Sequence, residues 1–141
     1  MTPRRIVLDA NILIRAVLGE KVRRLITRYA DKVDFGAPEI AFRDAAKHLP
    51  LIAAARDVDP TPWLESLHAL EGLVAILTIE QAEHLREAAL RRIGDRDSDD
   101  WPIVAAALAL NCPIWTEDKD FFGIGIPVWQ SDRVEIYFNG E

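Results

Sequence analysis

The sequence lacks most features that mark secreted, membrane or fibrous proteins. Its one cysteine, Cys112, cannot form a disulfide within the chain, so we expect a reducing, cytoplasmic environment. The basic start, MTPRRIVLDAN, reaches an acid too soon for a secretory signal, and the apolar runs are too short for a membrane span. Repeats, low-complexity tracts and linkers are lacking as well. We therefore expect one compact domain over residues 1–141 and no membrane partner.

The net charge of −6 is unevenly distributed along the chain. Residues 1–56 carry 11 basic and 6 acidic side chains, whereas residues 57–141 carry 6 basic and 17 acidic ones. An excess of acid in one half is typical of a solvated surface. It also fits a divalent-metal site whose charge is neutralised when the metal binds. Only the positions of the acids can separate these two interpretations.

Short apolar strands alternate with helical segments along the chain. Strands are predicted for RIVL, VDFGAP, LVAILT, PIW and IPVW. Helices are predicted for residues 10–30 with a break near Gly19, for Pro38 to about Arg56, for DPTPWLESLHAL, from the TIEQ capping box to Gly94, and for DSDDWPIVAAALALN, whose acids and Ser98 suit a helix N-terminus. Pro50 is able to kink or split its helix, and DRVEIYF fits either a strand or a helical turn. The pattern predicts an α/β fold with a central parallel sheet flanked by helices on both faces.

Two acids follow predicted strands directly. Asp9 follows RIVL and Asp118 follows PIWT. Ligands of parallel α/β sheets bind beyond the carboxyl ends of the strands, so both side chains are expected at the same edge. Asp100 opens the helix before PIWT, and simple topology predicts that it lies at the opposite end of the sheet. Asp44 lies on the second turn of its helix among apolar neighbours, where a carboxylate needs a partner.

Several stretches of the sequence resemble the motifs of PIN-domain ribonucleases. VLDANIL is similar to their first motif, APEIAFRDA to the second, and DSDDWPIVAAALALNCPIWTEDKDF to the third and fourth, so the resemblance covers the chain from end to end. By size the chain looks most like the VapC toxins of toxin–antitoxin pairs. The resemblance implies a PIN-like sandwich, hydrolysis of RNA phosphodiester bonds, a protein antitoxin as partner and a homodimer.

The resemblance also implies the residues of a metal-dependent active site. The implied catalytic residues and ligands of Mg²⁺ or Mn²⁺ are Asp9, Asp44, Asp100 and Asp118. Polar residues close to them in the sequence are candidates for a supporting role: Asn11, Thr116, Asp97 and Asp120. Both ions prefer carboxylate oxygens, and Mg²⁺ keeps several waters, which leaves positions for phosphate oxygens. One departure is that the second motif usually carries Glu where this chain has Asp44. Glu39 cannot replace it, because five helical positions place it about 140° away around the axis.

Each of these assignments has an ordinary alternative. Asp9 also suits the N-cap of a helix, and the other acids also suit solvated positions. For the whole protein, the alternatives are a catalytically weak PIN-fold module that binds metal or RNA, and a haloacid-dehalogenase-like phosphatase. The phosphatase fits poorly, because Asn11 stands where such enzymes carry a second Asp.

Basic residues in the first half of the chain are candidates for binding RNA. In EKVRRLITRY, Lys21, Arg24 and Arg28 form one stripe of a helix, and Arg15 lies on the preceding helical segment. A solvated helix face is an equally good interpretation of this stripe. The three histidines, His48, His68 and His84, are assigned to surface or partly buried helix positions away from any acid pair.

Overall fold

The structure, a computed structural model, describes residues 3–140. Its strands are β1 (Arg4–Leu8), β2 (Val33–Pro38), β3 (Val74–Leu77), β4 (Ile114–Trp115) and β5 (Val128–Trp129). Its helices are α1 (Ala10–Leu18), α2 (Lys21–Tyr29), α3 (Glu39–Ala55), α4 (Thr61–Leu70), α5 (Ile79–Ala82), α6 (Arg86–Ile93), α7 (Trp101–Leu110) and α8 (Val134–Asn139). Short 3₁₀ turns cover Glu83–Leu85, Ser98–Asp100 and Lys119–Phe121.

The strands form a single parallel sheet in the order β3-β2-β1-β4-β5. In the register of the central strand β1, Ile6 pairs with Phe35 of β2, and Leu8 pairs with Trp115 of β4. All carboxyl ends therefore face one edge of the sheet. This confirms the α/β fold with a central parallel sheet that the sequence predicts.

The middle of the sheet is buried on both faces. Ile6, Val7 and Leu8 are 0% exposed, as expected for a parallel strand that helices cover on either side. Helix α7 is buried over residues 102–107, where its small alanine side chains allow it to pack closely on the sheet. Gly36 of β2 serves the same contact, because a Cβ there would lie only 3.1 Å from Leu110 Cδ1.

Most helix boundaries agree with the sequence predictions. The break between α1 and α2 falls at Gly19, and the capping box predicted at Thr78 is formed with Gln81. Pro50 lies inside α3 without ending it. The helix predicted from TIEQ to Gly94 is interrupted by a 3₁₀ turn between α5 and α6. The undecided C-terminal segment is helical, with Val134 and Phe138 of α8 buried one turn apart.

In the part of the chain that the structure describes, no helix has the length and apolar character needed to cross a bilayer.

Candidate active site

Four aspartates from distant parts of the sequence line one cavity of about 140 Å³. They are Asp9, Asp44, Asp100 and Asp118, the four acids that the motif resemblance implies as ligands. Asp9 directly follows β1, and Asp118 lies three residues beyond β4. Both therefore reach the carboxyl edge of the sheet, as the sequence predicts from the ends of parallel strands.

The topological expectation for Asp100 is wrong. It placed this acid at the opposite end of the sheet from Asp9, whereas both line the same cavity. A helix that leads into a parallel strand runs antiparallel to that strand, so its first residue lies at the carboxyl edge of the sheet. Asp100 immediately precedes α7, which leads into β4, and it therefore belongs at this edge without any folding back.

Asp9 is held by two hydrogen bonds. Its Oδ1 accepts from the Ile12 amide at 3.0 Å, which caps helix α1, and its Oδ2 accepts from the Thr116 hydroxyl. The side chain is thus both a helix cap and a wall of the cavity. Only 6% of Asp9 is exposed, and this burial raises the pKa of its carboxyl above the usual value despite both hydrogen bonds.

Thr116 connects Asp9 with Asp118. Besides donating to Asp9, its buried hydroxyl oxygen accepts a hydrogen bond from the Asp118 amide at 2.9 Å. Asp118 Oδ1 in turn accepts from the Asp120 amide at 2.9 Å, which starts the following 3₁₀ turn. Thr116 and Asp120 do not line the cavity themselves. Their contacts fix the backbone that carries Asp118.

Asp100 is half-buried next to other acids. Burial, followed by the negative charges of Asp97 and Asp118, raises the pKa of Asp100 to about 7. Asp97 lies outside the cavity and caps the 3₁₀ turn, where its Oδ1 accepts from the Asp99 amide at 3.0 Å. Like charges disfavour the ionisation of one another. The raised pKa of Asp100 therefore indicates that these acids have too little positive charge near them to neutralise them.

Asp44 lines the cavity from helix α3. Its neighbours in the cavity include Asn11 and His48, and His48 Nδ1 lies 2.7 Å from the Asp44 carbonyl oxygen. Glu39 lies outside this cavity, since its Oε1 accepts from the Ile79 amide at 2.9 Å and its Oε2 lies 3.6 Å from Arg43. The other acid of α3 is therefore already engaged elsewhere.

The sequence interpretation missed three polar residues near the site. His48 and Asp99 line the cavity, whereas the sequence places the histidines at surface or partly buried helix positions away from any acid pair. For His48 the signal was available, because it follows Asp44 by four residues and so shares its helix face. Glu117 adds negative charge near Asp9, and its Oε1 accepts from the Ser131 amide at 2.7 Å.

The cavity suits a divalent cation by its donor type. Among residues 3–140 no lysine or arginine lines it, and aspartate side chains from four separate segments of the chain contribute carboxylate oxygens. The side chains are not arranged as a complete ligand set: no group of three or more His, Cys, Asp or Glu in the described chain is close enough to hold an ion as it stands. The hydrogen bonds of Asp9 leave it lone pairs, because a carboxylate offers about four acceptor positions. The donor type of these residues therefore fits Mg²⁺ or Mn²⁺.

The candidate RNA-binding residues lie in two environments. Arg24 pairs with Glu20 at 3.1 Å, and Arg28 pairs with Glu135 at 3.3 Å on the exposed face of α2. Arg15 and Lys21 instead line a larger cavity of about 550 Å³ beside Glu117. Ile14 borders both this cavity and the acid cavity, so the two are neighbours.

The fold and the acid cavity together define a parallel α/β domain with a carboxylate-lined site at the carboxyl edge of its sheet. Residues 7–139 match the family model of the PIN domain, and the chain belongs to the PIN-domain family. A search of curated proteins by sequence gives no significant match.

Several solved structures have a similar fold, and two of them illustrate the likeness to this chain. One is VapBC2 from Rickettsia felis bound to a DNA fragment from their promoter, with a TM-score of 0.69 and 13% identity over 89% of this chain and 98% of that chain. The other is PAE2754 from Pyrobaculum aerophilum, with a TM-score of 0.73 and 13% identity over 98% of this chain and 91% of that chain. At this identity the likeness establishes the fold.

Proposed function

We propose that this protein is a divalent-metal-dependent endoribonuclease that hydrolyses RNA phosphodiester bonds. The observation that carries the proposal is the convergence of Asp9, Asp44, Asp100 and Asp118 on one cavity that no lysine or arginine of the described chain lines. Membership of the PIN-domain family supports it, because that family consists of nucleases.

The four aspartates would hold Mg²⁺ or Mn²⁺ at the carboxyl edge of the sheet. When bound, such an ion supplies a more acidic water and positive charge beside the phosphate. Thr116 keeps the Asp9 carboxylate oriented, since its hydroxyl donates to Oδ2. Asn11 is exposed at the rim of the cavity, where its amide can orient a water or a phosphate oxygen. Asp97 and Asp120 support the backbone of the two turns that present Asp100 and Asp118.

The proposal is tested by incubating the purified protein with single-stranded RNA in Mg²⁺, in Mn²⁺ and in EDTA. We expect cleavage with either ion, none in EDTA, and recovery when the ion is restored. Calorimetric binding of Mn²⁺ without cleavage of any RNA would favour the weak PIN-fold module instead. The match to the PIN-domain model argues against the phosphatase alternative. Hydrolysis of a small phosphomonoester would argue for it.

We further propose that the protein is the toxin of a VapBC-type pair and forms a homodimer. The Rickettsia felis structure of similar fold is a VapBC2 complex. Expression of the chain alone should arrest growth of a bacterial host, and an Asp118→Asn variant should not. Light scattering at micromolar concentration tests the homodimer, and a monomer alone would contradict it. Growth arrest that persists in the Asp118→Asn variant would contradict a nuclease toxin.

A further inference from the structure

Two arginines, one on helix α6 and one just beyond its end, bind the loop that follows Asp118. This loop, residues 119–127, connects Asp118 to β5. Arg92 Nη1 donates to the Ile124 carbonyl at 3.1 Å and to the Gly125 carbonyl at 3.3 Å. Arg96 Nη2 donates to the Phe122 carbonyl at 3.0 Å. Three carbonyl groups of one short loop are thus bound by two guanidinium groups, which restricts its path.

The glycines of the 119–127 loop make this approach feasible. Gly125 has φ +84°, and a Cβ at this position would lie 2.5 Å from Arg92 Nη1. Gly123 has φ +83°, and its Cβ would lie 3.5 Å from Arg96 Nη2. Glycine adopts positive φ without the steric cost of a side chain. The backbone shape of the loop and the positions of the arginines therefore match each other.

The arginines also connect two segments that carry acids of the candidate active site. Arg96 lies between α6 and the Ser98–Asp100 turn, which presents Asp100, while the loop that it binds begins next to Asp118. Phe121 of the same loop is 3% exposed and forms part of the acid cavity. Negative charges on the two segments repel each other, so a contact that crosses between the segments opposes their separation.

We propose that Arg92 and Arg96 are positioning residues that keep Asp118 and Asp100 facing the same cavity. The inference rests on the proposed function, since it assumes that these acids hold a divalent cation. Both arginines are exposed, and the competing role for exposed arginines in a nuclease is direct contact with RNA phosphates. The two roles can be distinguished without RNA. Removing the arginines changes metal affinity and loop motion in the free protein only if they are positioning residues.

The test compares the double variant Arg92→Gln/Arg96→Gln with wild type and with Arg91→Gln. Arg91 of α6 is the matched control, because it is also exposed and its side chain makes no hydrogen bond or ion pair with any residue of 3–140. Three quantities are measured: Mn²⁺ affinity by electron paramagnetic resonance, amide hydrogen exchange of residues 118–126 in EDTA, and kcat and KM on RNA. Arg92→Lys/Arg96→Lys, which keeps the charge but loses the planar fork, is the second variant if the first fails to fold.

We expect the double glutamine variant to bind Mn²⁺ about tenfold more weakly, as is typical when groups that support metal ligands are removed. The amides of Phe121 and Phe122, which donate within the turn at 3.3 and 3.0 Å, should exchange faster. The value of kcat should fall with KM nearly unchanged, and Arg91→Gln should match wild type in all three measurements. The lysine variant should lie between wild type and the glutamine variant.

Unchanged Mn²⁺ affinity and exchange with a raised KM would overturn the proposal and assign the arginines to RNA. Unchanged values of all quantities would overturn it as well. If wild type itself neither binds Mn²⁺ nor cleaves RNA, the proposed function fails. The exchange measurement still decides the restraint of the loop in that case, because it needs neither metal nor substrate.

Discussion

The acid cavity and the exposed face of α2 are both densely charged, but they differ in how the charge is neutralised. On α2, Arg24 and Arg28 pair with Glu20 and Glu135, and the arginine side chains are 79% and 72% exposed. Water screens such pairs, so each contributes about 0–1 kcal/mol. In the cavity, Asp9 is 6% exposed and, within residues 3–140, no lysine or arginine lines the walls.

The comparison shows that local neutralisation is more informative than the charge of each half of the chain. Basic residues predominate in residues 1–56, and yet Asp9 and Asp44 of this half line a cavity to which the described part of the chain contributes no lysine or arginine. Unneutralised, partly buried carboxylates are the feature that calls for a bound ion. The following predictions remove either the charges of the cavity or those of α2.

Removing one carboxylate of the cavity should have the largest effect. Asp9→Asn and Asp118→Asn should each lower RNA cleavage by about a thousandfold or more, because the lost charge stabilisation amounts to several kcal/mol. The fold should persist, since Asn is also a good N-cap and relief of repulsion favours the metal-free state. Cleavage assays and thermal unfolding of the same samples measure both effects.

The control for these variants is Asp31→Asn, which removes an exposed acid beside Lys32, away from the cavity. It should cleave RNA like wild type. If either cavity variant cleaves at the wild-type rate, its acid does not hold the ion. A general loss of activity in Asp31→Asn would point to net charge instead.

Changing the length of the acid on α3 should have a smaller effect. Asp44→Glu should tighten Mn²⁺ binding several-fold, because one more methylene extends the carboxylate toward the strand ends, and Asp44→Ala should weaken it by about tenfold. Calorimetric titration with Mn²⁺ measures both. Equal affinities for wild type and the two variants would show that Asp44 is not a ligand.

Much of this fold and part of the site follow from the sequence. The strand that precedes Asp9 is recognisable from its apolar residues. The alternation of strands and helices along the chain indicates a parallel sheet. Asp9 and Asp118 could then be placed together, because both follow strands. The position of Asp100 follows from the direction of α7 once that helix is taken as antiparallel to β4.

Other features depend on tertiary contacts that no local pattern reveals. Several acids lie close together in residues 95–100, and the 3₁₀ turn Ser98–Asp100 decides which of them line the cavity. Asp99 and Asp100 line it, while Asp97 caps the turn. The hydrogen bonds from Arg92 and Arg96 to the 119–127 loop join residues more than twenty positions apart. Helix α8 has six residues, too few for a clear helical period.

The pH dependence of stability should report the repulsion within the cavity. Burial and the negative charges of Asp97 and Asp118 raise the pKa of Asp100 to about 7 in the folded protein, well above that of an exposed aspartate. A raised folded-state pKa means that stability is fully present below the unfolded value and is lost as pH rises through about 7. We therefore expect the melting temperature in EDTA to fall between pH 5 and pH 8, and to fall less in Asp100→Asn. Circular dichroism melts measure this, and identical slopes in the two proteins would contradict it.

Reversing the charge of the α2 face should have the smallest effect. If this face contacts RNA, Arg24→Glu/Arg28→Glu should weaken RNA binding across sequences and flatten its dependence on salt, because fewer counterions are released. Loss of two exposed ion pairs should change stability only slightly, and Mn²⁺ affinity should stay unchanged because the cavity is untouched. Fluorescence anisotropy with labelled RNA at several salt concentrations measures the binding. Unchanged affinity at low salt would show that Glu20 and Glu135 already neutralise this face, and that the cations which bind RNA lie elsewhere, with Arg15 and Lys21 beside the acid cavity as the next candidates.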